Sequence, residues 1–162
     1  VQRMAEMVNR EFTYRQNVTD VGTSVEHIVE GRQGVCQDFA HLLLGLCRAI
    51  QVPARYASGY IVARGQAQSQ GGAGAWQSQS QSSGSAEQAP TRGSGASHAW
   101  VEAFTPTHGW RGFDPTNNLL ANAYYVKVAI GRDYSDVPPT RGTYHGGSSE
   151  RLSVAVTARA VE

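Results

Sequence analysis

The sequence predicts an α+β fold in which one helix, preceded by glycines, packs on an antiparallel β-sheet, and three observations carry that prediction. Apolar residues recur at helical spacing near the N-terminus and again over 35–50. A two-residue alternation takes over after Pro53 and returns over 98–104. A further short run, 110–114, follows that second alternation after a turn, which is the mark of a β-hairpin. At 162 residues the chain is long enough for one domain built around one core.

Taken in order, Val1, Met4, Val8 and Phe12 define an opening amphipathic helix whose apolar face needs a partner. The polar run Thr13 to Gly22 reads as a loop. Thr23-Ser24-Val25-Glu26 reads as a capping box starting a short helix that carries Val25, Ile28 and Val29, with Gly31 as its end. A long helix runs from about Val35 to Ile50 and is stopped by Pro53. Residues 53–63 form a strand with Tyr56, Tyr60 and Val62 on one face and a glycine that permits a bend.

Residues 65–97 are almost wholly Gln, Ser, Gly and Ala, with Trp76 as the one large apolar residue. Such a stretch cannot bury enough surface to fold alone, so it reads as a flexible flap inserted beside a cleft. After it, His98, Trp100, Glu102 and Phe104 share one strand face and Ala99, Val101 and Ala103 the other. The turn 105–109 leads into 110–114. If Phe104 faces Trp110, His98 lies opposite Thr116 and Asp114 is its diagonal neighbour; a slip of two residues makes His98 and Asp114 direct partners, and either register puts both on one face, about 5 to 8 Å apart. Tyr125 to Ile130 and Leu152 to Ala160 are two more strand patterns that complete the sheet, joined by a long connection rich in glycine and proline.

Composition narrows the function. A net charge of +1, with Lys127 the only lysine and no run of basic residues, argues against nucleic acid or an anionic membrane surface as main partner. No apolar run approaches the ~20 residues of a membrane span, and the opening residues show helical periodicity rather than a signal peptide. Cys36 and Cys47 are eleven residues apart on one helix, about 16 Å, whereas a disulfide needs Cα atoms within ~7 Å. Two free thiols suit a reducing cytosol. No His, Cys, Asp or Glu cluster has metal-ligand spacing, so neither a metal nor another cofactor is expected. Cys47, among Leu43, Leu44, Leu46 and Ile50, reads as core. His41 falls off the Cys36 face of the helix, and His108 and His145 read as solvated.

Cys36 sits where a glycine-punctuated loop becomes a helix. There the unpaired backbone N–H groups and roughly half a unit of positive dipole charge favour a thiolate. Attack on an amide carbonyl needs a thiolate, a base that later protonates the leaving amine, and a group that fixes the base's tautomer. Cys36, His98 and Asp114 can fill these roles in that order, although each alone has a structural reading: buried cysteine, strand-start histidine and turn-forming aspartate.

The segments Gly34-Val35-Cys36-Gln37-Asp38-Phe39-Ala40-His41, Ser97-His98-Ala99-Trp100-Val101-Glu102 and Gly112-Phe113-Asp114-Pro115-Thr116-Asn117 resemble the three core motifs of the transglutaminase-like superfamily, in particular its bacterial cysteine protease members. Residues 131–139, Gly-Arg-Asp-Tyr-Ser-Asp-Val-Pro-Pro, resemble a further signature of that subgroup. The resemblance implies a papain-like core, with Cys36 as nucleophile, His98 as base and Asp114 as its orienter. It also implies that a β-rich domain precedes this unit in related proteins and is not part of this chain. The implied activity is acyl transfer through a thioester on a protein or peptide substrate. Water as acceptor, the outcome the resemblance favours, gives a protease or amidase; the alternatives are an amine, which gives a transglutaminase, and loss of turnover, which would leave a binding or scaffold module. The oxyanion would take the Cys36 backbone N–H and a second donor; Gln33, Tyr14 and Trp100 are the candidates for oxyanion or substrate contacts.

Overall fold

The computed structural model describes residues 1–62, 92, 96–140 and, beyond these, 142, 143, 145, 147 and 156. The flap reading of 65–97, which includes Trp76, and the strand reading of 152–160 therefore fall outside the described residues, apart from Arg92, Ala96, Ser97 and Val156. The described elements are α1 (Gln2–Glu11), β1 (Thr13–Tyr14), α2 (Val25–Gly31), β2 (Gln33–Gly34), α3 (Cys36–Ala49), β3 (Ala54–Ile61), β4 (Ser97–Thr105), β5 (Gly109–Asp114), β6 (Leu119–Leu120) and β7 (Tyr125–Gly131), followed by a single 3-10 turn, Tyr134–Asp136.

Five strands form an antiparallel sheet in the order β6-β5-β4-β3-β7. The α3 helix lies across it and buries Ala40, Leu43, Leu44 and Cys47 against Tyr56, Ala99, Val101, Ala103 and Phe113. A second cluster, Val8, Ile28, Phe39 and Leu42, joins α1 and α2 to the far side of α3. The α3 helix is thus apolar on two sides, as its Leu-rich sequence requires of a helix between layers. Cys47 lies in the core, as its neighbours predicted.

The hairpin forms in the first of the two registers, with Phe104 facing Trp110 and the ladder running from Thr105 opposite Gly109 to Val101 opposite Phe113. Gly109 closes the turn at φ +66°, a left-handed conformation open to glycine without strain. Glu102, pointing away from α3, laces three strands: it accepts from Arg55 on β3 at 2.8 Å and from Lys127 on β7 at 2.6 Å.

The N-terminal third departs from expectation at three points. The run 13–22 is not all loop, because Thr13 and Tyr14 pair in parallel with Gln33 and Gly34. The cap of α2 is Ser24, which accepts from the His27 N–H; Thr23 instead closes a turn with Asp20. The left-handed residue ending α2 is Arg32 (φ 48°), one place after Gly31.

Gly59 on β3 is where the sheet tolerates no side chain: a Cβ there would lie 2.0 Å from the Val126 carbonyl oxygen and 2.8 Å from the Trp100 ring. Relief would require moving β7 backbone, which a flexible neighbour cannot provide. Gly59→Ala is therefore expected to lose about 2 to 4 kcal/mol in denaturant unfolding. Gly45→Ala, on the exposed face of α3 with nothing within 4 Å of the new methyl, should gain about 0.5 to 1 kcal/mol. Similar effects at the two positions would contradict this account of the β3–β7 contact.

Candidate active site

Gly34 and Asp38 together fix the start of α3. The Asp38 carboxylate folds back to accept the Val35 N–H at 2.8 Å and the Thr19 hydroxyl at 2.7 Å. It lies so close to Gly34 that a Cβ there would stand 2.6 Å from Oδ2. Cys36 is the first residue of the helix, half-buried against the main core, and its N–H precedes the first intrahelical bond, Phe39 to Val35. Its backbone donor thus stands among the free N–H groups of a helix start.

His98 is the second residue of β4 and Asp114 the last residue of β5. Their side chains are both 0 % exposed, and His98 Nε2 lies 2.7 Å from Asp114 Oδ2. The other ring nitrogen, Nδ1, is buried and has no hydrogen-bond partner among the described residues. Cys36 is nevertheless near enough for its sulfur to raise the pKa of the ring. With Nε2 committed to Asp114, Nδ1 is the nitrogen available to that sulfur. Burial pulls the His98 pKa down, but the hydrogen bond to Asp114, its negative charge and the nearby Cys36 sulfur outweigh it, and the ring is pushed up to about 9.

Asp114 is surrounded by donors. Oδ1 accepts the backbone N–H groups of Thr116 (2.8 Å) and Asn117 (3.2 Å), while Oδ2 accepts the Asn117 amide (2.8 Å) and the Tyr125 hydroxyl (2.7 Å) besides His98. Burial alone would raise this carboxyl; its bonds to His98, Asn117 and Tyr125 hold it below the ordinary carboxylate range. The loop carrying these donors is itself tied down. Asn9 of α1 donates to the carbonyls of Pro115 and Thr116, both at 2.9 Å, and the Asn117 side chain brackets the Arg92 backbone through both its amide atoms.

The structure brings Cys36, His98 and Asp114 together. Trp100 stacks on the His98 ring at 6.3 Å and is 1 % exposed, with its indole N–H unpaired among the described residues. Gln33 lies on β2, two residues before the helix cap, where it meets Arg15 at 3.4 Å. Tyr14 packs edge-on against Phe39, with the Arg92 guanidinium 5.8 Å from its ring. His41 accepts the Tyr134 N–H at 3.2 Å and so pins the segment after β7 to α3; burial lowers its pKa. His108 and His145 are exposed. Among the described residues, no group of three or more His, Cys, Asp or Glu side chains could hold a metal ion, and no helix is long and apolar enough to cross a membrane.

Sequence reasoning missed Asn9, Asn117 and Tyr125. Asn117 stood inside a quoted motif, and its position three residues after an aspartate is an ordinary signal for a side chain that bonds back to a turn. Nothing in the local sequence pointed to Asn9 or Tyr125, whose partners are 106 and 11 residues away.

The family model described as the transglutaminase-like superfamily matches residues 1–115. The chain belongs to the transglutaminase-like superfamily. An uncharacterized protein of Mycobacterium tuberculosis is 35% identical over 157 residues, which cover 92% of this chain and 43% of that protein. An uncharacterized protein of Mycobacterium leprae is 34% identical over 152 residues, 94% of this chain and 47% of the relative. The chain thus spans less than half the length of these relatives. Among solved structures, that of a "putative cysteine protease" from Cytophaga hutchinsonii is similar, with a TM-score of 0.59, 29% identity, and coverage of 84% of this chain and 37% of that one. The mixed helix and antiparallel sheet are accordingly those of a transglutaminase-like core.

The buried pair makes stability depend on pH with a definite sign. His98 has a folded pKa of about 9 against an ordinary 6.5, so its contribution is complete below about pH 6.5 and disappears as pH rises through 9. Urea unfolding of the wild type should therefore weaken by a few kcal/mol, in order of magnitude, between those limits. His98→Gln should flatten that part of the curve, and a wild-type curve flat from 6.5 to 9 would contradict a raised His98.

Proposed function

We propose that this domain carries out thiol-dependent acyl transfer at amide bonds through a thioester on Cys36, most simply as hydrolysis of a peptide or protein substrate. One observation carries the reading: the fully buried His98–Asp114 pair, whose remaining ring nitrogen is unpaired beside a cysteine at a helix start. Membership of the superfamily and the name of the Cytophaga hutchinsonii neighbour support the same class of chemistry.

In this reading the Cys36 sulfur attacks the carbonyl carbon, and the tetrahedral oxyanion develops next to the free N–H groups at the start of α3. The His98 imidazolium gives its Nδ1 proton to the leaving nitrogen as the C–N bond breaks, leaving a neutral imidazole and the thioester. That imidazole then takes a proton from the incoming water, whose oxygen bonds to the carbonyl carbon as the C–S bond breaks, so the acid is released and the thiolate–imidazolium pair restored. Asp114 fixes the tautomer and supports the imidazolium. The two unbridged cysteines suit a reducing compartment such as the cytosol. An amine in place of water gives the transglutaminase outcome from the same thioester.

A panel of fluorogenic peptides and amine-incorporation substrates separates these outcomes. Cys36→Ala should abolish both activities. Asp114→Asn should leave the fold intact and lower the rate by roughly two to four orders of magnitude. Iodoacetamide at neutral pH should label Cys36 far faster than Cys47, whose side chain is fully buried and whose thiol is pushed up by burial. Equal, slow labelling of the two, or turnover that survives Cys36→Ala, would overturn the reading.

A further inference from the structure

Tyr125 opens β7 opposite Ile61, two strands away from the strand that carries His98. Its ring meets Trp100 edge-on at 5.4 Å and His98 at 6.2 Å. The strand between them offers Gly59, which leaves the space that Trp100 fills. Packing alone would explain the ring. It does not explain the hydroxyl, which lies 2.7 Å from Asp114 Oδ2, the same oxygen that holds His98 Nε2 at 2.7 Å.

That oxygen also receives the Asn117 amide at 2.8 Å, while Oδ1 is occupied by two backbone N–H groups. A carboxylate offers about four lone-pair sites, so five donors compete for them, three on the oxygen that faces the imidazole. Each neutral donor disperses carboxylate charge and weakens its hold on an imidazolium. The ionisable groups that act on the ring are Asp114 from β5 and Cys36 from α3, with Tyr125 from β7 in contact edge-on. Burial and the neighbouring carboxylate raise the Tyr125 phenol well above its ordinary range, so it acts here as a standing donor and not as an acid.

We infer that Tyr125 is a positioning residue that acts through Asp114: its hydroxyl sets how tightly the His98 ring holds its proton. The inference rests on the proposed function for its consequence, because the same ring must stay protonated beside a thiolate and still release its proton to a leaving amine. A carboxylate left with only His98 and Asn117 on Oδ2 would hold the imidazolium too firmly for the second task.

The test reads His98 directly, by NMR titration of the labelled ring, beside pH profiles of kcat/KM. Tyr125→Phe keeps the ring and removes the donor. The His98 pKa and the upper limb of the profile should both rise by about one pH unit, with kcat lowered and KM little changed. Replacing Tyr125 site-specifically with 3-fluorotyrosine, a more acidic phenol of nearly the same size, should move both in the opposite direction. It also carries the test if the Phe variant does not fold. A His98 titration unmoved by both substitutions would overturn the inference and leave Tyr125 as packing. Because the titration needs no substrate, a shifted ring in a protein whose turnover survives Cys36→Ala would sink the proposed function alone; an unmoved ring in a protein that Cys36→Ala inactivates would sink the role of Tyr125 alone.

Discussion

Burying an imidazole–carboxylate pair out of water is the constraint on which the rest of this structure depends. Removing charged groups from solvent costs several kcal/mol each unless their hydrogen-bonding capacity is met inside the protein, and a buried pair that loses one member is left with an uncompensated charge. The His98–Asp114 pair is fully buried, and the chain surrounds its carboxylate with donors from Thr116, Asn117 and Tyr125. Asn9 reaches from α1 to hold the two carbonyls of that same loop, so the N-terminal helix supports the site as well as the core.

Those donors are of two kinds, and the difference explains what the sequence could show. The contacts of Asp114 with Thr116 and Asn117 are local, a side chain closing a turn on its own following residues, and such contacts are written in a few consecutive positions. The alternation of 98–104 and the turn likewise sufficed to set the faces of the hairpin, because a slip by one residue would turn Ala99, Val101 and Ala103 away from α3, whereas a slip of two keeps every face and is excluded only by the observed ladder. The position of Cys36 at a helix start was legible for the same reason: glycines, an apolar run and Asp38 at the third helical position stand side by side in the chain.

What escaped was non-local or too short to leave a pattern. The β1–β2 ladder has two residues on each strand, and two residues show no period. Asn9 and Tyr125 find their partners only once α1 and β7 have docked, and an asparagine on an amphipathic helix or a tyrosine in a strand looks the same with or without such a partner. The offset at the end of α2 is of another kind: Gly31 offered the usual left-handed residue, yet the chain bends one place later at Arg32, whose carbonyl then accepts the Thr13 N–H at 2.8 Å and continues the short parallel pairing. Tertiary pairing there outweighs glycine's intrinsic preference.

The orientation of the His98 ring follows from the same docking. In a serine-type triad the nucleophile meets Nε2, at the tip of the imidazole, and the aspartate holds Nδ1 near the backbone. Here Nε2 is committed to Asp114, so the nitrogen left for Cys36, the nucleophile in the proposed mechanism, is Nδ1, the one nearer the main chain of β4. A base used from that side needs its nucleophile close to the strand itself. The α3 helix supplies this geometry, because it packs on β4 through Ala40, Leu43 and Leu44 and carries Cys36 at its first position. The hydrophobic contact that builds the core and the contact that brings sulfur to nitrogen are therefore one helix–strand interface. If the proposed function holds, a core substitution that shifted α3 along β4 would disturb the site before it cost much stability, since positioning errors of about 1 Å are enough to impair catalysis strongly.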